Sequence, residues 1–358
     1  MSYSTQNPQQ LELDKLFPFQ LDPFQLEAID ALNAGKSVVV CAPTGSGKTL
    51  IGEYAIYRAL SRGKRVFYTT PLKALSNQKL RDFRERFGVE NVGLLTGDLS
   101  MNREAAIVVM TTEIFRNMLY GTPIGEVGTS LEGVEAVVLD ECHYMNDRTR
   151  GTVWEESIIY CPPEIQLLAL SATIANSDQL TDWLCKVHGP TELIYSNFRP
   201  VPLQFHFCNT QGLFPLLNEN GNGMNRRLEA KKRRTNRYDN HRSRFHTQQQ
   251  GQSLASALKQ LQKQGTLPTI YFISSRKGCD RAVVDPKIER LSFVNSSEAE
   301  RLGSAINSFL TTNPKLRNFK SLDALYRGIA TYHLELPPPF RMFVAELFRQ
   351  GLVKVLFV

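Results

Sequence analysis

The chain has 358 residues, 42% hydrophobic and 22% charged, which places it in the soluble globular range and allows two domains, each with its own core. No apolar run approaches the roughly 20 residues of a bilayer span, and the opening MSYSTQNPQQ lacks the basic start and apolar stretch of a secretory signal. The net charge of +7 is a local property: between Arg226 and Arg244 nine Lys or Arg face only Glu229 and Asp239, and the remainder sums to zero. A cytoplasmic protein with no membrane partner is expected.

Residues 1–18 read as a short polar tail. Strands are expected at Ser37–Cys41, Arg65–Thr69, Ile107–Met110, Ala136–Leu139 and Gln166–Leu170, whose near-continuous Val, Ile and Leu content suits burial on both faces. Between them Leu50–Ser61, Lys73–Phe87, Glu113–Leu119 and Gln179–Val187 read as amphipathic helices. The alternation predicts a parallel sheet wrapped by helices, one α/β domain over residues 19–197. Phe198-Arg-Pro-Val-Pro-Leu203 then holds two prolines, which fix an extended path and exclude a helix. Gln204–Cys208 allows a short strand. From Asn218 to Gln252 the composition shifts to Asn, Gly, Arg and Gln, the signature of a disordered insertion within a linker over 198–252. A second α/β domain over 253–358 opens with a helix at Leu254–Gln264 and a strand at Thr269–Ile273. It ends on a further strand pattern, Lys354–Val358, and reads as cut short.

Six cysteines (Cys41, Cys142, Cys161, Cys185, Cys208 and Cys279) contain no C-x-x-C pair. Neither a disulfide framework nor a zinc site is expected; buried small hydrophobes in a reducing compartment fit the spacing.

Chemistry enters where Ser37–Cys41 leads into Ala42-Pro43-Thr44-Gly45-Ser46-Gly47-Lys48-Thr49 and then a helix. This is the phosphate-loop pattern G-x-x-x-x-G-K-[ST] with Ala in the first place. Gly45 and Gly47 let backbone N–H groups turn inward, and the helix start adds its positive dipole end. Lys48 can reach the β- and γ-phosphates of ATP, and Thr49 can offer its hydroxyl to Mg²⁺. Strand, loop and helix in that order favour this reading over an ordinary glycine-rich turn.

Downstream, Ala136-Val-Val-Leu-Asp140-Glu141 delivers two carboxylates at the C-terminal edge of a buried strand, where open α/β sheets bind ligands. Asp140 is expected in the Mg²⁺ shell, and Glu141 as the group that orients and deprotonates the attacking water. Cys142-His143 follow with too few ligands nearby for zinc. His143 is read as a hydrogen-bonding link from the ATP site to the rest of the machine.

With Asp-Glu-Cys-His in view, the chain resembles the DExH-box helicases of superfamily 2, and within them the Ski-like RNA helicases. The likeness covers about Phe19–Leu217 and, more loosely, Leu254 to the end. It implies a RecA-like P-loop NTPase domain, then a second, incomplete RecA-like domain, and an ATP-dependent motor moving 3′ to 5′ on single-stranded RNA or a 3′ overhang. Phe19 and Gln25 look like the adenine-recognition segment. Thr70-Pro71-Leu-Lys73-Ala-Leu-Ser-Asn-Gln-Lys79 is similar to the family's first nucleic-acid-contact motif, and Thr96-Gly97-Asp98 and Thr111-Thr112-Glu113 to the next two. Ser171-Ala-Thr173 resembles the motif that couples hydrolysis to domain movement, and Phe198-Arg-Pro-Val-Pro202 the interdomain linker. Tyr271-Phe-Ile-Ser274-Ser-Arg276 resembles the opening motif of the second domain, with Ser274 and Arg276 at the nucleic acid. Thr70, Thr96, Thr111 and Thr112 sit at strand ends, so they are expected on one rim, holding phosphates without reading bases. Repair-type DNA helicases share these motifs, which leaves DNA open as the substrate. A non-catalytic ATP- or RNA-binding remnant is a third reading. Partner proteins are not implied.

Two departures stand out. Gly328-Ile-Ala-Thr-Tyr-His333 starts like a motif in which two histidines, Ala and Gly follow, but Tyr332 takes the first histidine position and Leu334-Glu335 replaces Ala-Gly. Loss of that glycine next to an acid should weaken phosphate contact, and Pro337–Pro339 should add stiffness. The family's later motifs would lie past Val358, including an arginine finger worth on the order of 10³–10⁵ in rate. The chain alone is therefore expected to bind ATP weakly, hydrolyse it poorly and not unwind duplexes. The basic segment keeps two readings: a solvated loop, or an arm that steers RNA in a salt-dependent way, with Tyr238, His241 and Phe245 among its arginines.

Overall fold

The computed structural model describes residues 11–121, 130–209, 212–218, 220–221, 223–225, 246–317, 319 and 321–358. They divide into two compact units, Met1–Leu203 and Gln204–Val358.

The first unit is built on one eight-stranded sheet. Its strands are β1 (Ser37–Cys41), β2 (Arg65–Thr70), β3 (Val92–Thr96), β4 (Leu99–Met101), β5 (Ile107–Thr111), β6 (Val134–Leu139), β7 (Gln166–Ser171) and β8 (Thr191–Tyr195), in the order β4-β3-β5-β2-β6-β7-β1-β8. Every neighbouring pair is parallel except β3 with β4. The strands are apolar on both sides because both faces are covered. Helices Pro23–Asn33, Thr49–Ser61 and Lys73–Phe87 cover one face through Ile29, Leu32, Ile51, Tyr54 and Phe83. Helices Thr112–Leu119, Gly151–Ile159 and Ser177–Val187 cover the other through Phe115, Trp154 and Leu184. Residues alternate between these layers along β2: Val66 and Tyr68 join the first core, Phe67 the second.

The expected α/β sheet is present and larger than the five strands read from the sequence. β3, β4 and β8 were missing from that reading because each is short and interrupted: Val92–Thr96 holds a glycine, Leu99–Met101 is exposed, and Thr191–Tyr195 is mixed in polarity. The polar tail also differs. Leu13–Leu16 forms a helical turn, Leu11, Leu13 and Leu16 pack on the core, and Phe17 is 1% exposed. Apolar spacing among the acids between residues 11 and 17 outweighs their polarity.

In the second unit, β9 (His206–Asn209) and β10 (Gly212–Pro215) form an antiparallel hairpin within the span read as linker. A small parallel sheet follows, from β11 (Thr269–Tyr271), β12 (Ile329–Thr331) and β13 (Val355–Phe357) in the order β11-β13-β12. Helices His246–Lys263, Arg276–Val283, Ser296–Thr312 and Pro338–Arg349 belong to the same unit. Leu258, Val283, Ile329 and Phe357 form one buried cluster, and Ile306, Phe340, Val344 and Leu356 another. Pro338 and Pro339 open the helix Pro338–Arg349, at positions whose N–H groups have no helical partner in any case.

Cys41, Cys142, Cys161 and Cys279 are buried, and Cys185 and Cys208 are exposed. Burial pushes the Cys142 and Cys161 thiols up to about 12, far from thiolate chemistry. Among the described residues there is no cluster of His, Cys, Asp and Glu that could hold a metal, and no helix is long and apolar enough to cross a membrane. The basic segment Arg226–Arg244 lies outside the described residues.

Candidate nucleotide site and nucleic-acid rim

Parallel strands put their C-terminal ends on one edge, and the sheet order fixes what stands beside what. Across that edge run Thr96 at the end of β3, Thr111 at the end of β5, Thr70 at the end of β2, Asp140 just after β6, Ser171 at the end of β7, and Ala42–Thr49 just after β1. The first-unit residues read as nucleic-acid contacts therefore share one half of the rim, and the Ala42–Thr49 loop and Asp140, read as the ATP site, lie on the other. The two halves meet between β2 and β6, where the Asp140 N–H donates to the Thr69 carbonyl at 3.0 Å.

The nucleotide half starts with the loop. Gly45 and Gly47 have φ of +84° and +87°, left-handed values that side chains rarely adopt. A Cβ on Gly47 would lie 2.7 Å from Nε2 of Gln25, so a side chain there would strain the backbone and displace the Gln25 amide. Gln25 is buried and doubly engaged: its Oε1 accepts from the Asp22 N–H at 2.9 Å and its Nε2 donates to the Gly47 carbonyl at 3.2 Å. It braces the loop from the helix below. Phe19 is exposed, its ring 6.2 Å from Phe17. Thr44 and Gly45 are open to solvent, and Pro43 is buried beneath them. The Lys48 ammonium folds back on the loop, donating to the carbonyls of Ala42 (2.7 Å) and Pro43 (3.0 Å). Burial lowers its pKa, and the nearby Glu141 and Asp140 work against that shift. The Ser46 hydroxyl is buried with no partner among the described residues, an orphaned donor inside a loop of inward-turned backbone.

Asp140 sits at the seam. The Tyr68 hydroxyl donates to its Oδ2 at 2.7 Å, and its Oδ1 accepts from the Glu141 N–H at 3.0 Å. Burial, with the Asp140 charge beside it, pushes the Tyr68 pKa well up, so the phenol stays a donor. Lys79 completes the group: its Nζ donates to Thr49 Oγ1 at 3.0 Å and lies 3.7 Å from Asp140 Oδ2. Thr49 and Asp140 thus converge on a single cationic centre.

Glu141 has φ +56°, a left-handed conformation without glycine, where β6 passes into the short helix Cys142–Asn146. Such backbone costs about 1–2 kcal/mol. Its carboxylate reaches His143, with Oε2 3.2 Å from Nδ1. The same Nδ1 is 3.3 Å from the Ala172 N–H. One ring nitrogen cannot donate to Glu141 and accept from Ala172 at once, so His143 stands as an either-or link between them. Ser171 is buried, its hydroxyl donating to the Ala172 carbonyl at 2.8 Å, while Thr173 is exposed.

The other half of the rim is built differently. The Thr70 hydroxyl is buried, 2.7 Å from Ser76 Oγ, and the Thr112 hydroxyl donates to the Thr70 carbonyl at 3.3 Å. Thr96 donates to Asp98 Oδ1 at 2.9 Å, and Thr111 is nearly covered. Pro71 is buried. What faces outward is the Lys73–Asp98 ion pair (2.9 Å) beside Gly97. In the second unit Ser274 is exposed, and the Arg276 guanidinium pairs with Glu335, the acid at the variant position of its motif. His333 pairs with Asp280 at 3.1 Å.

Tyr68 and Lys79 escaped the residue-level reading. Each carried a signal: a tyrosine inside a fully buried strand needs a partner for its hydroxyl. Lys79 flanks the buried stripe Ser76, Leu80 and Phe83 of its helix, where a lysine is unusual.

Comparison with known proteins adds what the chain is similar to. Residues 22–180 match the DEAD/DEAH box helicase family. The chain is 43% identical over 383 residues to the DExH-box ATP-dependent RNA helicase DExH15, chloroplastic, of Arabidopsis thaliana, covering 97% of this chain and 32% of that protein. It is 39% identical over 368 residues to the probable helicase HelY of Mycobacterium tuberculosis, covering 97% of this chain and 40% of that one. The mouse exosome RNA helicase MTR4 is 36% identical over 371 residues, covering 96% and 33%. The chain thus spans a third to two fifths of the length of these relatives.

Proposed function

Because residues 22–180 match the DEAD/DEAH box helicase family, we propose that the chain is the motor portion of an ATP-dependent RNA helicase of the DExH-box, Ski-like branch. The observation that carries this reading is the gathering of Lys48, Thr49, Asp140 and Glu141 at the ends of β1 and β6, the two strands that flank β7, beside a buried hydroxyl with no partner among the described residues. The backbone N–H groups of Ala42–Thr49 would cradle the phosphates of ATP, and Lys48, released from the carbonyls of its own loop, would reach the terminal ones. Thr49 and Asp140 would hold Mg²⁺ between them, a reading that their shared contact with the Lys79 ammonium supports. When bound, Mg²⁺ supplies charge neutralisation at the phosphates. Glu141 would orient a water and take its proton. His143 would pass the state of Glu141 to the Ser171–Thr173 segment through the Ala172 N–H. Single-stranded RNA, or a duplex with a 3′ overhang, would lie along the half-rim of Thr96, Thr111 and Lys73; within the second unit, Ser274 and Arg276 would be the residues that contact nucleic acid.

The test is ATPase measured with single-stranded RNA and with single-stranded DNA, against Glu141→Gln. RNA stimulation that falls on the order of 10²–10⁴-fold in the variant supports the reading. Stimulation by DNA alone would make it a DNA helicase motor. Equal rates in both proteins would leave a binding remnant.

A further inference from the structure

Lys79 contacts the same two side chains that the proposed function assigns to the divalent cation. Its Nζ is 3.0 Å from Thr49 Oγ1 and 3.7 Å from Asp140 Oδ2. The ammonium is not free to wander, since the side chain is 14% exposed and lies over the rings of Tyr68 (5.2 Å) and Phe83 (5.9 Å). Tyr68 in turn ties the same oxygen, Asp140 Oδ2. An ammonium held there and a divalent cation bound to the same oxygens repel each other strongly at that separation. The negative phosphates of ATP reverse the balance, because two cations beside several anionic oxygens are no longer in conflict.

We propose that Lys79 is a positioning residue that makes divalent-cation loading depend on the nucleotide: its ammonium holds Thr49 and Asp140 together and excludes the metal until phosphates arrive. This rests on the assignment of Thr49 and Asp140 to the metal.

Mn²⁺ binding to the 358-residue chain, followed by electron paramagnetic resonance, tests it directly. Wild-type protein should bind Mn²⁺ weakly alone and at least tenfold more tightly with a non-hydrolysable ATP analogue. Lys79→Met, which keeps an apolar stem against the two rings, should bind Mn²⁺ alone at least tenfold more tightly than wild type. Lys79→Arg should restore the exclusion. A lysine that merely packs would give no such split between Met and Arg. Lys79→Gln serves the same comparison if melting by circular dichroism shows the Met variant unfolded. Unchanged or weaker Mn²⁺ binding in the folded neutral variants overturns the proposal. A wild-type chain that gains no Mn²⁺ on adding the analogue, or an Asp140→Asn chain that still gains it, overturns the metal assignment itself and this inference with it.

Discussion

The two halves of one sheet edge solve two problems with different parts of the chain. On the nucleotide half, side chains do the work: Lys48, Thr49, Lys79, Asp140, Glu141 and His143 form a connected set of charges and hydrogen bonds, and the backbone is bent to suit them. On the other half, the hydroxyls of Thr70 and Thr112 turn inward and bond the protein to itself. That leaves Gly97, the Lys73–Asp98 ion pair and the side chains of Leu72 and Leu99 exposed there. Bond-breaking chemistry needs groups of fixed charge at fixed places. In the function proposed above, a motor that passes any base sequence would need a surface with little chemical preference.

Glycine substitutions give the largest expected contrast. Gly47→Ala forces a methyl toward Gln25 and strains a left-handed backbone by about 1–2 kcal/mol. Affinity for a fluorescent ATP analogue should fall tenfold or more. Gly97→Ala meets nothing nearer than the Lys73 ammonium at 3.9 Å, so ATP affinity and melting temperature should hold while RNA affinity drops severalfold from the added bulk. Equal tolerance at both sites would erase the distinction between the halves.

Thr70→Val is the sharper test of hydroxyl use. It removes a buried hydrogen bond with Ser76, so unfolding free energy should drop by about 1–2 kcal/mol while RNA affinity, measured by fluorescence anisotropy, stays within about threefold. A protein of unchanged stability that loses RNA would show that the hydroxyl faces the nucleic acid after all.

The smallest effect belongs to Asp98→Ala. Asp98 is exposed, and its hydrogen bond with Lys73 holds its pKa below the usual carboxylate range. Releasing Lys73 should raise RNA affinity about twofold and steepen its salt dependence by less than about one unit of log–log slope. An unchanged slope would place the nucleic acid elsewhere.

The nucleotide half was legible in the sequence because its parts are contiguous. A strand, a loop and a helix occur within Ser37–Ser61, and Asp140 and Glu141 are adjacent at the end of another strand. Residue type and local order were enough. The same reading could not see that Tyr68 and Lys79 close on Asp140, since β2 and the helix Lys73–Phe87 meet β6 only through the folded sheet. Nor could it see that Thr70 spends its hydroxyl on Ser76: threonine at a strand end has the same letter whether it faces solvent or the core. Strand β3 was hidden for a related reason. Gly93 breaks the apolar run, yet a Cβ there would lie 2.1 Å from the Asn102 carbonyl, so the close approach of a neighbouring segment dictates the glycine.

Glu141 carries a consequence for anyone reshaping this molecule. Its left-handed backbone is comfortable for glycine or asparagine and uncomfortable for glutamate. Directed evolution under heat alone would therefore drift away from the carboxylate at this position, while selection for turnover would hold it. A library sorted both ways would divide at residue 141, because there the demands of endurance and of work name different amino acids.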